Sequence, residues 1–369
     1  MPPLRLFLCG DVMTGRGIDQ VLPYPCDPIL HEDYVRSALD YVRLAERRNG
    51  AVQRPVDPTY IWGAALEEWS RARPDVRIVN LETSITRSAD HDDKGINYRM
   101  SPENAECLAA AGIRCCVLAN NHVLDWGHAG LRDTLAALQR LKIKTAGAGR
   151  NLAEASAPAI LPVAGKARVL VFSLALADSG VPRAWAAKPD TAGVNFLADL
   201  SEASADRVCS EIARARQPGD IVVVSLHWGP NWGYDIPDEQ ARFAHALIDR
   251  GGVSVVHGHS SHHAKAIEVY RNRLVLYGCG DFIDDYEGIE GYEDYRDDLA
   301  LMIFADIDAA SGALAAAEIV PLQIRQFRLA RLSADDVDWL RETLARESRR
   351  FGTIVTVASP GRLALFWPG

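Results

Sequence analysis

The chain has 369 residues, 48% of them hydrophobic and 24% charged, the proportions of an ordinary folded α/β protein long enough to bury a large core. Its formal net charge of -9 and the lack of any Lys/Arg run exclude a nucleic-acid footprint. Seven cysteines, an odd number with no CxxC knuckle, exclude a disulfide framework and read as reduced, mostly buried thiols.

The opening "MPPLRLFLCGD" is too short in its apolar part, and too soon interrupted by Arg5 and Asp11, to be a signal peptide. "LRLFLC" reads as a first strand, followed by a helical stretch over 33–48. "VRIVN" from Val76 and "CCVLAN" from Cys115 read as the next strands, and 128–141 as a helix. "RVLVFSLAL" and "DIVVVSLHW" are further strands, separated by a helix over 201–215. "VSVVHG", "AIEVY" and "RLVLYG" follow closely and look antiparallel to one another. Strands over 299–307 and 314–321 precede a helix over 334–349 and a last hairpin. The near-continuous apolar runs indicate strands buried on both faces, hence helices layered around sheet. The longest apolar run, "VLVFSLALA", is about half of the roughly 18 residues needed to cross a bilayer. A cytoplasmic protein with no membrane partner is expected. The main domain is expected over 1–325, with a C-terminal helix and hairpin appended over 326–369.

Several strands run straight into polar residues suited to chelation. The first ends in Asp11, the second in Asn80 and Glu82, and the third in Asn120, Asn121, His122 and Asp125. Later strands end in His227 and in His257 and His259 of "HGHS". Ligands of open α/β sheets collect at the carboxyl ends of strands, so these five endings point to one shared site. Carboxylate, imidazole and Asn carbonyl together suit Mn, Fe or Zn. His262 and His263, beyond the loop, are expected at the rim or in solvent; His31, His91 and His245 are expected at the surface or in packing.

"GDVM", "NLET", "NNH", "HW" and "HGHS…LYGCGDF" together resemble the CapA family, named for poly-γ-glutamate capsule proteins and similar to the calcineurin-like metallophosphoesterases. The resemblance covers about residues 4 to 325. It implies a layered α/β/β/α sandwich of mixed sheets with flanking helices. It also implies Asp11 and His259 on one ion, Asn121, His227 and His257 on a second, Glu82 bridging them, and His122 as general acid. The chain departs from that pattern twice. Met13 stands where an imidazole is expected, and Glu82 stands where the bridging residue is Asp.

Two functions follow as expectations. One is metal-dependent hydrolysis of a peptide-like or small phosphoester substrate. The other is metal-free inversion of a peptide Cα, as in the lasso-peptide epimerase this family includes. It would use Asp11 with His259, His122 or Tyr292, and no cofactor. Arg16 and Arg99 are candidates for a substrate carboxylate or phosphate. Trp228 and Trp232 are candidates for an apolar side chain. The stretch 280–298, with nine acidic residues and four aromatics, is a candidate lid that includes Tyr292.

Overall fold

The computed structural model describes residues 3–368. Leu4–Leu8 is the axis of the larger sheet, parallel to Val76–Leu81 on one side and antiparallel to Leu299–Ile307 on the other. Beyond Val76–Leu81 the pairing stays parallel, to Asp11–Val12 and to Cys115–Val117, and from there to Lys144–Ala146. Beyond Leu299–Ile307 it is antiparallel, through Leu314–Arg325 to Arg362–Phe366 and Ile354–Ser359.

The second sheet runs Ile267–Tyr270, Arg273–Leu276, Val255–His259, Ile221–His227, Arg168–Ala175, Ala159–Pro162. Its four central strands are mutually parallel. This corrects the antiparallel expectation for the 253–277 region. Val255–His259 lies between two parallel neighbours. The one hairpin here joins Ile267–Tyr270 to Arg273–Leu276 through Arg271 and Asn272, both at positive φ. Two such residues make the turn whose twist matches antiparallel strands.

The alternation of side chains separates three buried layers. Leu4, Leu6 and Leu8 meet Val169, Val171, Val223 and Val255 between the sheets. Phe7, Val79 and Cys116 face outward onto Trp62 and Trp69. Leu170, Phe172, Val224 and Val256 face the opposite way, onto the helices Glu202–Ala215 and Asp238–Gly251. The result is the expected α/β/β/α sandwich. The helix Ala334–Ser348 and the final hairpin place Leu340, Leu344, Val355 and Leu363 in the inter-sheet layer.

The helix expected from residue 33 begins at Ala38 instead. Ser37 accepts from the Leu39 amide, the bond that starts a helix, and residues before it form a bridge to Ile29. All seven thiols are free and six are buried. No helix among the described residues is long and apolar enough to cross a membrane.

Candidate metal centre at the strand ends

Parallel register brings the strand ends together. Asp11 is level with Asn80 in one sheet, and His227 with His259 in the other. Asn80 Nδ2 donates to Asp11 Oδ1 at 2.8 Å and to Glu82 Oε2 at 3.1 Å. The Ser260 amide donates to Asp11 Oδ2 at 3.1 Å. Ser260 reaches this position through a φ of 103°, which turns the chain back over the carboxylate. Burial, and next the adjacent Asp11, pushes the Glu82 carboxyl well above its usual range. Two carboxylates share a dry site, a setting that favours a cation.

The imidazoles form a chain of contacts. His257 Nε2 meets Cys9 O at 2.7 Å, and its Nδ1 meets Ser225 Oγ at 3.1 Å. Ser225 Oγ meets His259 Nε2 at 2.7 Å. His259 Nδ1 meets His227 Nδ1 at 2.7 Å, and His227 Nε2 meets Asn121 Oδ1 at 3.1 Å. Burial lowers all three imidazoles below their ordinary range, so each is neutral and carries one hydrogen. With the Ser225 hydroxyl that makes four hydrogens for five contacts.

The tautomers follow from that count. Cys9 O and Asn121 Oδ1 are acceptors, so His257 and His227 each donate from Nε2. His259 Nε2 then donates to Ser225, whose hydroxyl donates to His257 Nδ1. The contact left without a hydrogen is the one between His227 and His259. Their two Nδ1 lone pairs face each other, 3.7 Å from Asp11 Oδ1 in the case of His259. Asp11, His227 and His259 are also the buried trio whose ligand atoms all lie within 4.8 Å of one another. Two imidazoles and a carboxylate fit Mn, Fe or Zn.

Glu82 Oε1 stands 3.8 Å from both His227 Nε2 and His122 Nε2. His122 is held by Asp125, whose Oδ2 is 2.7 Å from Nδ1. Asp125 is held in turn by Lys94 Nζ at 2.7 Å and by the Tyr98 amide at 2.6 Å. The Tyr98 ring meets His122 edge-on at 4.5 Å. Burial pushes His122 down to about 4 against the pull of Asp125.

Other expected residues stand elsewhere. His257 has both nitrogens spent on Cys9 and Ser225, and Asn121 Oδ1 is spent on His227. Arg16 does not face a substrate. It is buried, 2.9 Å from Glu32 and 2.5 Å from Asp285, because the turn at its positive φ drives it under Tyr41 and Tyr98. Arg99 points away from the centre, to Ser88 O and Asp27 O, with Trp126 beneath it. Trp228 is packed, with Nε1 on Tyr277 O and its ring stacked on Tyr277. Trp232 and Tyr292 stack on each other at 3.9 Å.

His262 and His263, expected at the rim or in solvent, are both buried. His263 is ringed by Trp232, Tyr234 and Tyr295. His262 Nδ1 is 3.0 Å from Asp281 Oδ1, and its Nε2 accepts from Asn231 Nδ2 at 3.1 Å. Asp281 was not among the expected residues, yet a signal for it exists. "CGD" occurs twice, at 9–11 and 279–281. The two copies pack together, with Asp281 level with Asp11 and a Cβ at Gly10 set to fall 1.7 Å from Gly280 O.

Relatives of known name agree with this picture. A probable polyglutamine synthesis accessory protein of Mycobacterium tuberculosis is 47% identical over 98% of this chain and 95% of its own length. The capsule biosynthesis protein CapA of Bacillus anthracis is 25% identical over 88% of this chain and 68% of its own. Among solved structures, a phosphatase of Mycoplasma pneumoniae aligns with 88% of this chain and 94% of its own at 12% identity and a TM-score of 0.49. Residues 5–286 match the family described as bacterial capsule synthesis protein PGA_cap, and the chain belongs to that family.

Proposed function

We propose that the protein is a metal-dependent hydrolase of a peptide-like or phosphoester bond. The observation that carries this is the hydrogen count, which leaves two imidazole lone pairs and the Asp11 carboxylate facing one point. Asp11, His227 and His259 would hold a divalent ion, with Glu82 beside them. Such an ion supplies a Lewis acid and an activated water. His122 delivers the proton to the leaving group from Nε2, its ring fixed by Asp125. Names of relatives tie the family to capsule and polyglutamine synthesis, which favours an amide-linked substrate. The free, mostly buried thiols fit a reducing cytoplasm.

The test is metal content of the purified, untagged protein, measured beside activity with and without chelator. Bound Mn, Fe or Zn with activity lost on chelation is the expected result. A metal-free protein that remains active would overturn the reading.

One observation favours a second reading, direct acid/base inversion at a peptide Cα. His262 is oriented by Asp281 and lies two residues beyond the Ser260 amide that holds Asp11. Asp11 and His262 would then serve as the two proton-handling groups. Deuterium entering one Cα in heavy water, with chelator having no effect, would select it.

A further inference from the structure

A cavity of 460 Å³ adjoins the centre and plays no part in the proposed chemistry. Tyr286 belongs to both, since it lines the cavity and meets the His262 ring edge-on at 5.3 Å. Seven of the cavity's lining residues are acidic and two are basic. Most of this charge is already used. Arg296 is paired with Asp298 and Asp336, and Glu287 accepts from the Gln326 and Phe327 amides.

Asp284 is different. It is 2% exposed and lines the cavity. Its Oδ1 accepts from the Tyr286 amide, while its Oδ2 is buried without a donor among the described residues. A buried carboxylate oxygen left in that state is costly unless a cation meets it. Asp297, half-buried on the same wall, has no ion-pair partner among the described residues.

We propose that this cavity binds an alkylammonium or guanidinium group, with the charge at Asp284 and Asp297 and the alkyl stem along Ile289 and Ile324. Two features favour an organic cation over a metal ion. The cavity has room for many atoms, whereas a water occupies about 30 Å³. Its carboxylates also do not converge as a cage does, because the trio at Asp11 is the one such cluster among the described residues. Burial, and next Asp298, pushes the Asp297 carboxyl up to about 6, which agrees with a strongly negative wall.

Calorimetric titration of the metal-stripped full chain tests this, with spermidine and acetyl-Gly-Lys-Gly-amide as separate probes. The two probes distinguish a free polyamine from a basic peptide side chain. Binding of one of them is expected, weakened about tenfold, or about 1.4 kcal/mol, in D284N and in D297N. Activity is not read, so the outcome is independent of the hydrolase reading. The proposal fails if neither probe binds, or if both variants bind as wild type does. It also fails if calcium chloride alone binds through these residues and neither organic probe displaces it. D284N is expected to melt no lower than wild type, since it neutralises a carboxylate that lacks a donor. A lower melting temperature would mean that Asp284 has an internal partner, and would also overturn the proposal. D297N, on the half-buried wall, gives a reading with little effect on folding.

Discussion

The Nδ1 atoms of His227 and His259 face each other at 2.7 Å, and Ser225 Oγ, 2.7 Å from His259 Nε2, sets which way the His259 ring points. A group that fixes a ligand's tautomer from behind tunes metal affinity without touching the ion. Ser225→Ala removes the acceptor for His259 Nε2–H. Metal affinity, read by competition with a chromophoric chelator, is expected to fall about 10- to 100-fold. An unchanged affinity would show that the strand alone orients the ring.

Arg16 gives a test of stability rather than of substrate binding. Its guanidinium is 2% exposed and faces Glu32 and Asp285, themselves 1% and 0% exposed. Arg16→Met leaves both carboxylates buried without their counter-charge. Removing one partner of such a group costs roughly 3–5 kcal/mol. A urea melt is expected to show that loss. If Arg16 instead bound substrate, KM would rise while the melt stayed in place.

Much of the site was legible because strands announce where they end. An apolar run breaking into Asp11, into Asn80 and Glu82, or into His227 marks a residue at the rim of a sheet, and parallel register gathers such residues. The layered fold was legible for a related reason, since runs such as "IVVVSLH" can only be buried on both faces. What escaped was set by contacts distant in sequence. Arg16 after a strand looks like an anion binder until Asp285, 269 residues away, closes on it. His262 looks like a loop residue until the turn at Ser260 folds it back toward Asp281. His257 and His259 look equivalent in "HGH". They part because the Cys9 carbonyl claims one and His227 meets the other.

Lys265 predicts an unusual pH dependence. It is 4% exposed, its Nζ donates to Asp235 O at 2.9 Å, and burial pushes its ammonium down to about 8. An unfolded Lys titrates near about 10.4. Between these values the unfolded chain holds a proton that the folded chain has lost. Stability therefore rises with pH across that window, and the cost of burying the charge is full below it. Relative to Lys265→Met, wild type is expected to gain up to about 3 kcal/mol between pH 8 and pH 10 in urea melts. Parallel curves for the two proteins would show that the folded Lys265 titrates normally.

The stretch 280–298 is tied to the rest of the centre by aromatic contacts. Tyr292 is 40% exposed, yet its ring lies on Trp232 at 3.9 Å with 5° between planes. Trp232 in turn meets His262 and His263, and Tyr295 packs beside His263. At the other end, Arg296 anchors the stretch to Asp336. The stack is thus the weak, solvent-facing fastening of a segment whose base is fixed by Asp281. Aromatic pairs of this kind contribute about 0.5–1.5 kcal/mol. Tyr292→Ala should raise the open population about 2- to 10-fold. Amide hydrogen exchange over 286–295 should rise by the same factor, while that of Val255–His259 stays unchanged. A rise in both regions would mean that the stack supports the core. A rise in neither would mean that Arg296 and Tyr295 hold the segment without it, and the stretch would then be a fixed wall of the site.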